Sequence, residues 1–236
     1  MPGTIIYRGP SRINQQPIFV AAIWGSKNIK TGDMLQTYIM RSDMSPLDAS
    51  KYGEDEAICG PCTHRGTPTL DPARKVAERR SCYVNLGQGP LIVWKTFQRG
   101  GYKDTANIAE VGRGRFVRIG TYGDGAAVPN NVWSQLLHSA KGHTAYTHNG
   151  GDPNTYMVSV ETLKQAQFRW RAGHRTFRTL SSADNLDVGH EILCPASAEA
   201  GYRTTCQKCM LCAGSRTKAK SIAIVVHGTG RGFVKN

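Results

Sequence analysis

The sequence predicts an α/β protein: a mainly parallel sheet, curled into a partial (β/α) barrel, with two Cys-rich, metal-organised loop regions. Three observations carry this expectation. Short apolar runs recur along the chain with helix-like segments between several of them, the alternation that separates parallel strands by crossover helices. The cysteines fall outside those runs, in segments 54–88 and 190–220, where hydrophobic periodicity is weak. The chain has 236 residues, 39% of them hydrophobic, enough for a single domain over 1–236 whose core needs no covalent staples.

The elements follow in order. Pro17–Trp24 is an apolar strand stopped by Gly25-Ser26, and Leu35–Met40 is a second, shorter one. Pro90–Arg99 is helical, opening on proline and running into Gly100-Gly101, the expected punctuation of a helix. Arg115–Gly120 is a strand, Pro129–Ala140 a helix, and His143–Thr147 and Tyr156–Val160 are strands. Thr162–Ala172 is a helix closed by Gly173, and Arg175–Leu180 and Ser221–Val226 complete the strands. Trp24, Trp94, Trp133 and Trp170 are expected in the core, the last three on helix faces.

The longest apolar stretches, 18–24 and 222–226, are far too short to cross a bilayer. The opening residues lack the charged and apolar regions of a secretory signal. A cytoplasmic protein, away from membranes, is therefore expected, in a compartment where clustered thiols hold metal rather than form disulfides. Thirty Lys and Arg against seventeen Asp and Glu leave a net charge of +13. Such an excess attracts polyanions, nucleic acid first among them, although a merely basic soluble surface has the same composition.

Cys206-Gln-Lys-Cys209-Met-Leu-Cys212 is the strongest local signal. Two-residue spacers let successive thiolates turn onto one centre, and Cys194 supplies a fourth. Four thiolates hold either zinc or a four-iron cluster, and spacing does not choose between them. Upstream, Cys59-Gly-Pro-Cys62-Thr-His64 is followed by Cys82 after nineteen intervening residues. With His64 these form a closed zinc site; without it, three thiolates hold an iron–sulfur cluster with one open iron. Only an open position serves catalysis.

Polar groups stand just beyond the expected strands: Tyr122 and Asp124, His148 and Asn149, Glu161, Ser181, Ser182 and Asp184, and His227. In a parallel sheet the strand C-termini share one edge, where ligands bind. That edge would gather Asp124, His148, Glu161 and His227 as acid/base or ligand groups. The plain alternative is ordinary loop polarity. Gly120-Thr-Tyr-Gly-Asp-Gly125 is glycine-rich enough to cradle a phosphate, without the lysine of a P-loop.

Taken together, Cys59-Gly-Pro-Cys62-Thr-His-Arg65, Ser81-Cys-Tyr-Val84, Arg118-Ile-Gly-Thr-Tyr-Gly-Asp124, Ala145-Tyr-Thr-His148 and Cys194-Pro-Ala-Ser resemble a family of phage-encoded, Cys-rich proteins of uncharacterised function. The resemblance runs from about Ile18 to Gly228. That family distantly resembles phage proteins of radical S-adenosylmethionine (SAM) type. The resemblance implies a four-iron cluster on Cys59, Cys62 and Cys82, with SAM on its open iron. It places Gly123 and Asp124 near the methionine end of SAM, and an auxiliary cluster or zinc on Cys194, Cys206, Cys209 and Cys212. It further implies a phage enzyme modifying nucleic acid or a nucleotide in the cytoplasm of an infected host. A zinc-stabilised nucleic-acid-binding protein of phage replication or host takeover is the competing expectation.

Overall fold

Two five-stranded sheets divide the chain, which passes from one to the other through Ala145. The computed structural model describes residues 2–26, 28–216, 218–228 and 230–234. The first sheet runs in chain order: β1 (Gly3–Pro10), β2 (Pro17–Ile23), β3 (Leu35–Arg41), β4 (Phe116–Tyr122) and β5 (Gly142–Thr144). β1, β2 and β3 are antiparallel neighbours, whereas β3, β4 and β5 are parallel. The second sheet is parallel throughout. Its order is β6 (Tyr146–Thr147), β7 (Met157–Val160), β8 (Thr176–Leu180), β10 (Ser221–Val225) and β9 (Glu191–Leu193).

The expected α/β class and parallel-rich sheets are present, with three corrections. The expected strand 143–147 breaks at Ala145, whose N–H donates to the Cys212 carbonyl at 3.1 Å while its own carbonyl accepts from Met157 at 3.0 Å. The first three strands make an antiparallel addition because β1, absent from the sequence expectation, pairs along the whole of β2. The Cys-rich segments also carry regular structure. Segment 54–88 contains helix α2 (Glu56–Cys59) and a 3-10 turn at Thr63–Arg65, and segment 190–220 contains β9 and helix α7 (Cys206–Cys209).

The remaining helices are α1 (Pro46–Tyr52), α3 (Gly89–Gln98), α4 (Ile108–Gly112), α5 (Asn130–Leu137) and α6 (Leu163–Arg171). Ser45 caps α1, accepting from the Asp48 N–H, and Gly53 ends it in the left-handed region. Thr162 and Gln165 form a reciprocal capping box on α6, an arrangement that satisfies two N-terminal amides at once. β2 and β3 are buried on both faces; β2 accordingly reads as an unbroken apolar run, whereas β3 buries Gln36, Thr37 and Arg41 as well. Phe19 of β2 stacks on Phe97 of α3 with ring centroids 3.7 Å apart. Fully burying a side chain of this size contributes about 1.5–3 kcal/mol.

Trp133 is buried in this main core, while Trp24 and Trp94 are half-buried against it. Trp170 departs from expectation: it is half-buried, its indole N–H donating to Ser221 at 2.8 Å and its ring stacked on His190. A smaller apolar cluster joins Met157, Phe177, Ile222 and Ile224 to Cys194 and Cys212. Among the described residues no helix is long and apolar enough to cross a membrane.

Candidate functional site

Because β5 and β6 are separated by one residue, the parallel strands of both sheets end on a common edge. Side chains two residues apart share a strand face. On one such face Arg118, Gly120 and Tyr122 of β4, Phe177 and Thr179 of β8, and Ile224 of β10 surround a cavity. Tyr146, Ser159 and, at the strand ends, His148, Glu161 and His227 complete its walls. Its volume is about 150 Å³, space for a small polar guest at an open mouth. The thiols of Cys59, Cys62 and Cys82 all face it.

Local backbone chemistry brings these thiols together. Cys59 is the last residue of α2, and Gly60 follows with φ 60° and ψ −141°, a conformation open essentially to glycine alone. A Cβ at Gly60 would fall 1.9 Å from Oδ1 of Asn149, whose amide donates to the Cys59 carbonyl at 3.2 Å. Arg65 fastens the turn from the other side, pairing with Asp55 at 2.8 Å and donating to the carbonyls of Gly60 and Gly53. The nineteen residues between Cys62 and Cys82 are an excursion that closes on itself. Thr67 and Glu78 exchange backbone hydrogen bonds at 2.8 Å, and the Ser81 and Cys82 amides both donate to the His64 carbonyl. A long sequence gap thus becomes a short spatial one.

His64 and His148 converge on one carboxylate. Glu161 lies 2.9 Å from Nε2 of His64 through one oxygen and 2.9 Å from Nε2 of His148 through the other. Nδ1 of His64 is 2.8 Å from the Ser81 hydroxyl. Both His64 nitrogens are therefore engaged within the protein, whereas a histidine ligand presents one nitrogen to the metal and anchors the other. Burial opposes charge on His148, but its hydrogen bonds to Cys62 and Glu161 prevail and raise it to about 10. Burial likewise opposes ionisation of Glu161, and the two imidazoles overcome it, holding the carboxyl well below its usual range. Burial, with Asp55 and the neighbouring thiols, pushes Cys59 well above an ordinary thiol. Burial raises Cys82 too, with Arg80 acting against it.

Asp124 is a buried hub. Its carboxylate accepts from the amides of Ala126 at 2.9 Å and His148 at 2.8 Å, from Asn149 Nδ2 at 2.8 Å and from the Thr147 hydroxyl at 3.1 Å. These bonds tie the end of β4 to the end of β6 and occupy both oxygens. Gly123 packs against Ile39, where a Cβ would meet the carbonyl oxygen at 2.7 Å. The Asp124 amide donates to Ile58 and the Gly120 amide to Thr37, so two of the N–H groups expected to cradle a phosphate already have partners. His227 lines the cavity mouth, its ring 5.4 Å from that of Tyr83. Ser181, Ser182 and Asp184 do not line this cavity.

Three buried polar atoms at the same cavity lack hydrogen-bond partners among the described residues: Nε of Arg80, Oγ1 of Thr121 and the Tyr122 hydroxyl. Buried polar groups are nearly always paired, so this cluster of orphans fits a polar guest. Arg80, which donates to the carbonyls of Cys82 and Val84, adds positive charge suited to thiolates.

The second cysteine set lines a separate small cavity with Tyr146 and Ile222. Cys194 follows β9, its amide donating to Ala223 at 2.7 Å. Cys206 and Cys209 bound α7, and Met210, at φ 51°, turns the chain back toward Cys212. Burial raises Cys206 and pushes Cys212 up to about 12. All seven cysteines carry free thiols. Among the described residues, however, no three His, Cys, Asp or Glu side chains stand ready for a metal ion. The expected ligand sets share cavities without forming coordination.

Sequence reasoning overlooked Ser81, Arg80, Arg118 and Tyr146 as parts of the site. Strand parity held the signal for two of them: stepping back by twos from His148 reaches Tyr146, and from Tyr122 reaches Arg118. No protein-family description matches the chain, and neither a curated protein nor a solved structure matches it.

Proposed function

We propose that the chain is a phage-type, radical-SAM-like iron–sulfur enzyme acting on nucleic acid or a nucleotide, with Cys59, Cys62 and Cys82 holding the catalytic cluster. The observation that carries this reading is the double engagement of His64, by Glu161 and Ser81. Three thiols are left facing a cavity without His64 to close the set. The orphaned atoms of Arg80, Thr121 and Tyr122 fit a polar, anionic guest in the same place. In this reading the parallel strands form a partial barrel whose lumen is that cavity.

Held by Cys59, Cys62 and Cys82, a four-iron cluster would supply the electron for reductive cleavage of SAM. The chain's own residues provide the setting. Asp124 and Gly123 fix the loop at the methionine end, and Glu161 orients both imidazoles. His148 keeps its proton between Cys62 and Glu161, to which it is hydrogen-bonded. His227 and Tyr83 stand at the mouth. Cys194, Cys206, Cys209 and Cys212 hold zinc or an auxiliary cluster that supports the junction at Ala145. Such a protein works in the reducing cytoplasm of an infected bacterial host.

The direct assay is reductive SAM cleavage by anaerobically reconstituted protein. The expected result is 5′-deoxyadenosine, lost in Cys82→Ser while the chain stays folded. An intact cluster that yields none contradicts the reading.

A second reading, a zinc-stabilised nucleic-acid-binding protein without catalysis, draws on one observation. Beside the thiol-lined cavity, α6 presents Lys164, Arg169 and Arg171 around Phe168, which is 60% exposed. A basic surface with an exposed aromatic ring suits single-stranded nucleic acid. A colourless protein containing zinc alone would favour it.

A further inference from the structure

Most buried guanidinium groups in this protein are well matched. Arg178 pairs with Glu191 at 2.8 Å, Arg41 with Asp43 and Glu54 at 2.8 Å, and Arg175 donates to the carbonyls of Lys220 and Leu211 at 2.7 Å. Arg118 differs. It is 6% exposed, yet among the described residues no carboxylate lies within ion-pair distance of it. Its contacts are a long hydrogen bond of 3.4 Å to Thr144 Oγ1 and the side chain of Tyr146, whose ring centroid is 4.2 Å from the guanidinium carbon. Burial opposes the charge, and Tyr146, Tyr83 and Cys206 rather than a carboxylate offset it, a match that an anion would improve.

Arg118 also borders open space on two sides. It lines the thiol-lined cavity and a neighbouring one walled by Gln36, Tyr83, Asn85 and Gln88. We infer that Arg118 binds the phosphate of a nucleotide deep in the thiol-lined cavity. A guanidinium presents two parallel N–H groups to phosphate oxygens, the pairing for which its planar fork is suited. Arg118 precedes Tyr122 by four strand residues, about 13 Å along the strand. That span matches the length of a nucleotide with its phosphate at Arg118 and its sugar or base toward the thiols, laid across this cavity of about 150 Å³ and the neighbouring one of about 290 Å³. Tyr146 and Phe177, stacked with centroids 4.1 Å apart, wall the phosphate end beside Arg118, and Tyr83 at the mouth offers aromatic surface to the base.

This inference deepens the proposed reading by naming its substrate class, but it rests on the cavity and not on the cluster. Its test is calorimetric binding of nucleoside 5′-monophosphates, the matching nucleosides, inorganic phosphate and SAM to the full chain. At least one monophosphate is expected to bind tenfold or more tightly than its nucleoside. Arg118→Gln should abolish that difference and leave the nucleoside affinity unchanged, with Arg118→Lys intermediate. Equal binding of nucleotide and nucleoside, or no binding of either, overturns the inference. So does weakening of SAM alone in Arg118→Gln, which would assign the guanidinium to a carboxylate. Loss of bound metal with unchanged nucleotide affinity also overturns it, because Arg118 would then balance the Cys194 set. Should Arg118→Gln not fold, Arg118→Lys decides: unchanged discrimination between nucleotide and nucleoside contradicts the assignment. Failure to cleave SAM sinks the enzyme reading and leaves these binding results standing.

Discussion

Glu161 Oε2 lies 2.9 Å from Nε2 of His64, and this contact separates two chemically different proteins. A free His64 would complete a Cys3His zinc site, saturated and structural. A His64 held by Glu161 on one nitrogen and Ser81 on the other leaves the three thiols incomplete. Glu161→Gln removes the negative anchor of both imidazoles and should lower stability by about 1–3 kcal/mol. For a chain of this size that is roughly 2–4 °C in Tm per kcal/mol. Thermal denaturation checks it, and an unchanged Tm would show that the carboxylate anchors nothing.

Gly60 should tolerate no side chain. Its left-handed φ, and the 1.9 Å that would separate an added Cβ from Asn149, predict that Gly60→Ala costs about 2–4 kcal/mol. Asn149→Ala in the same background should restore part of the loss by removing the clash. Purely additive losses in a double-mutant cycle would count against direct contact.

Metal loading of the Cys194 set should depend on pH. Burial raises Cys206 and pushes Cys212 up to about 12, above the value of about 8.5 for a free thiol. In the metal-free chain these groups are protonated at neutral pH, and binding must expel their protons. Affinity therefore rises with pH and falls on acidification, about tenfold per pH unit for each proton released. Zinc titrations at two pH values with proton counting test this. An affinity independent of pH contradicts it.

The basic face of α6 predicts salt-sensitive binding of single-stranded nucleic acid. Exchanging Lys164 and Arg171 for Ala should weaken an oligonucleotide complex and reduce the slope of log K against log salt by about 1–2. Phe168→Ala should weaken binding without changing that slope. An identical slope in the double variant would place the contact elsewhere.

The sequence showed the long elements because their periodicity survives burial: β2, β4, β8, β10, α3 and α6 all lie where apolar runs or capped helices predict them. β9 escaped because three residues carry no period, and α2 because its four residues form less than a usable helical pattern. The break at Ala145 is a tertiary decision, made by the Cys212 carbonyl from sixty-odd residues away. At the site, the strand-end rule found Asp124, His148, Glu161 and His227, which all line one cavity. It did not foresee that Asp124 spends its carboxylate on its neighbours. Nor does spacing reveal His64, whose fate depends on Glu161, nearly a hundred residues distant.

The central claim is an open cluster on Cys59, Cys62 and Cys82, and electron paramagnetic resonance of the reduced, anaerobically reconstituted protein tests it most directly. To isolate that site, the spectrum is recorded in a Cys206→Ser, Cys209→Ser background with and without SAM. The expected result is a four-iron signal whose g-values shift on adding SAM, in His64→Ala as in the parent chain. A signal unmoved by SAM, or a colourless protein whose zinc is lost with His64, would contradict it.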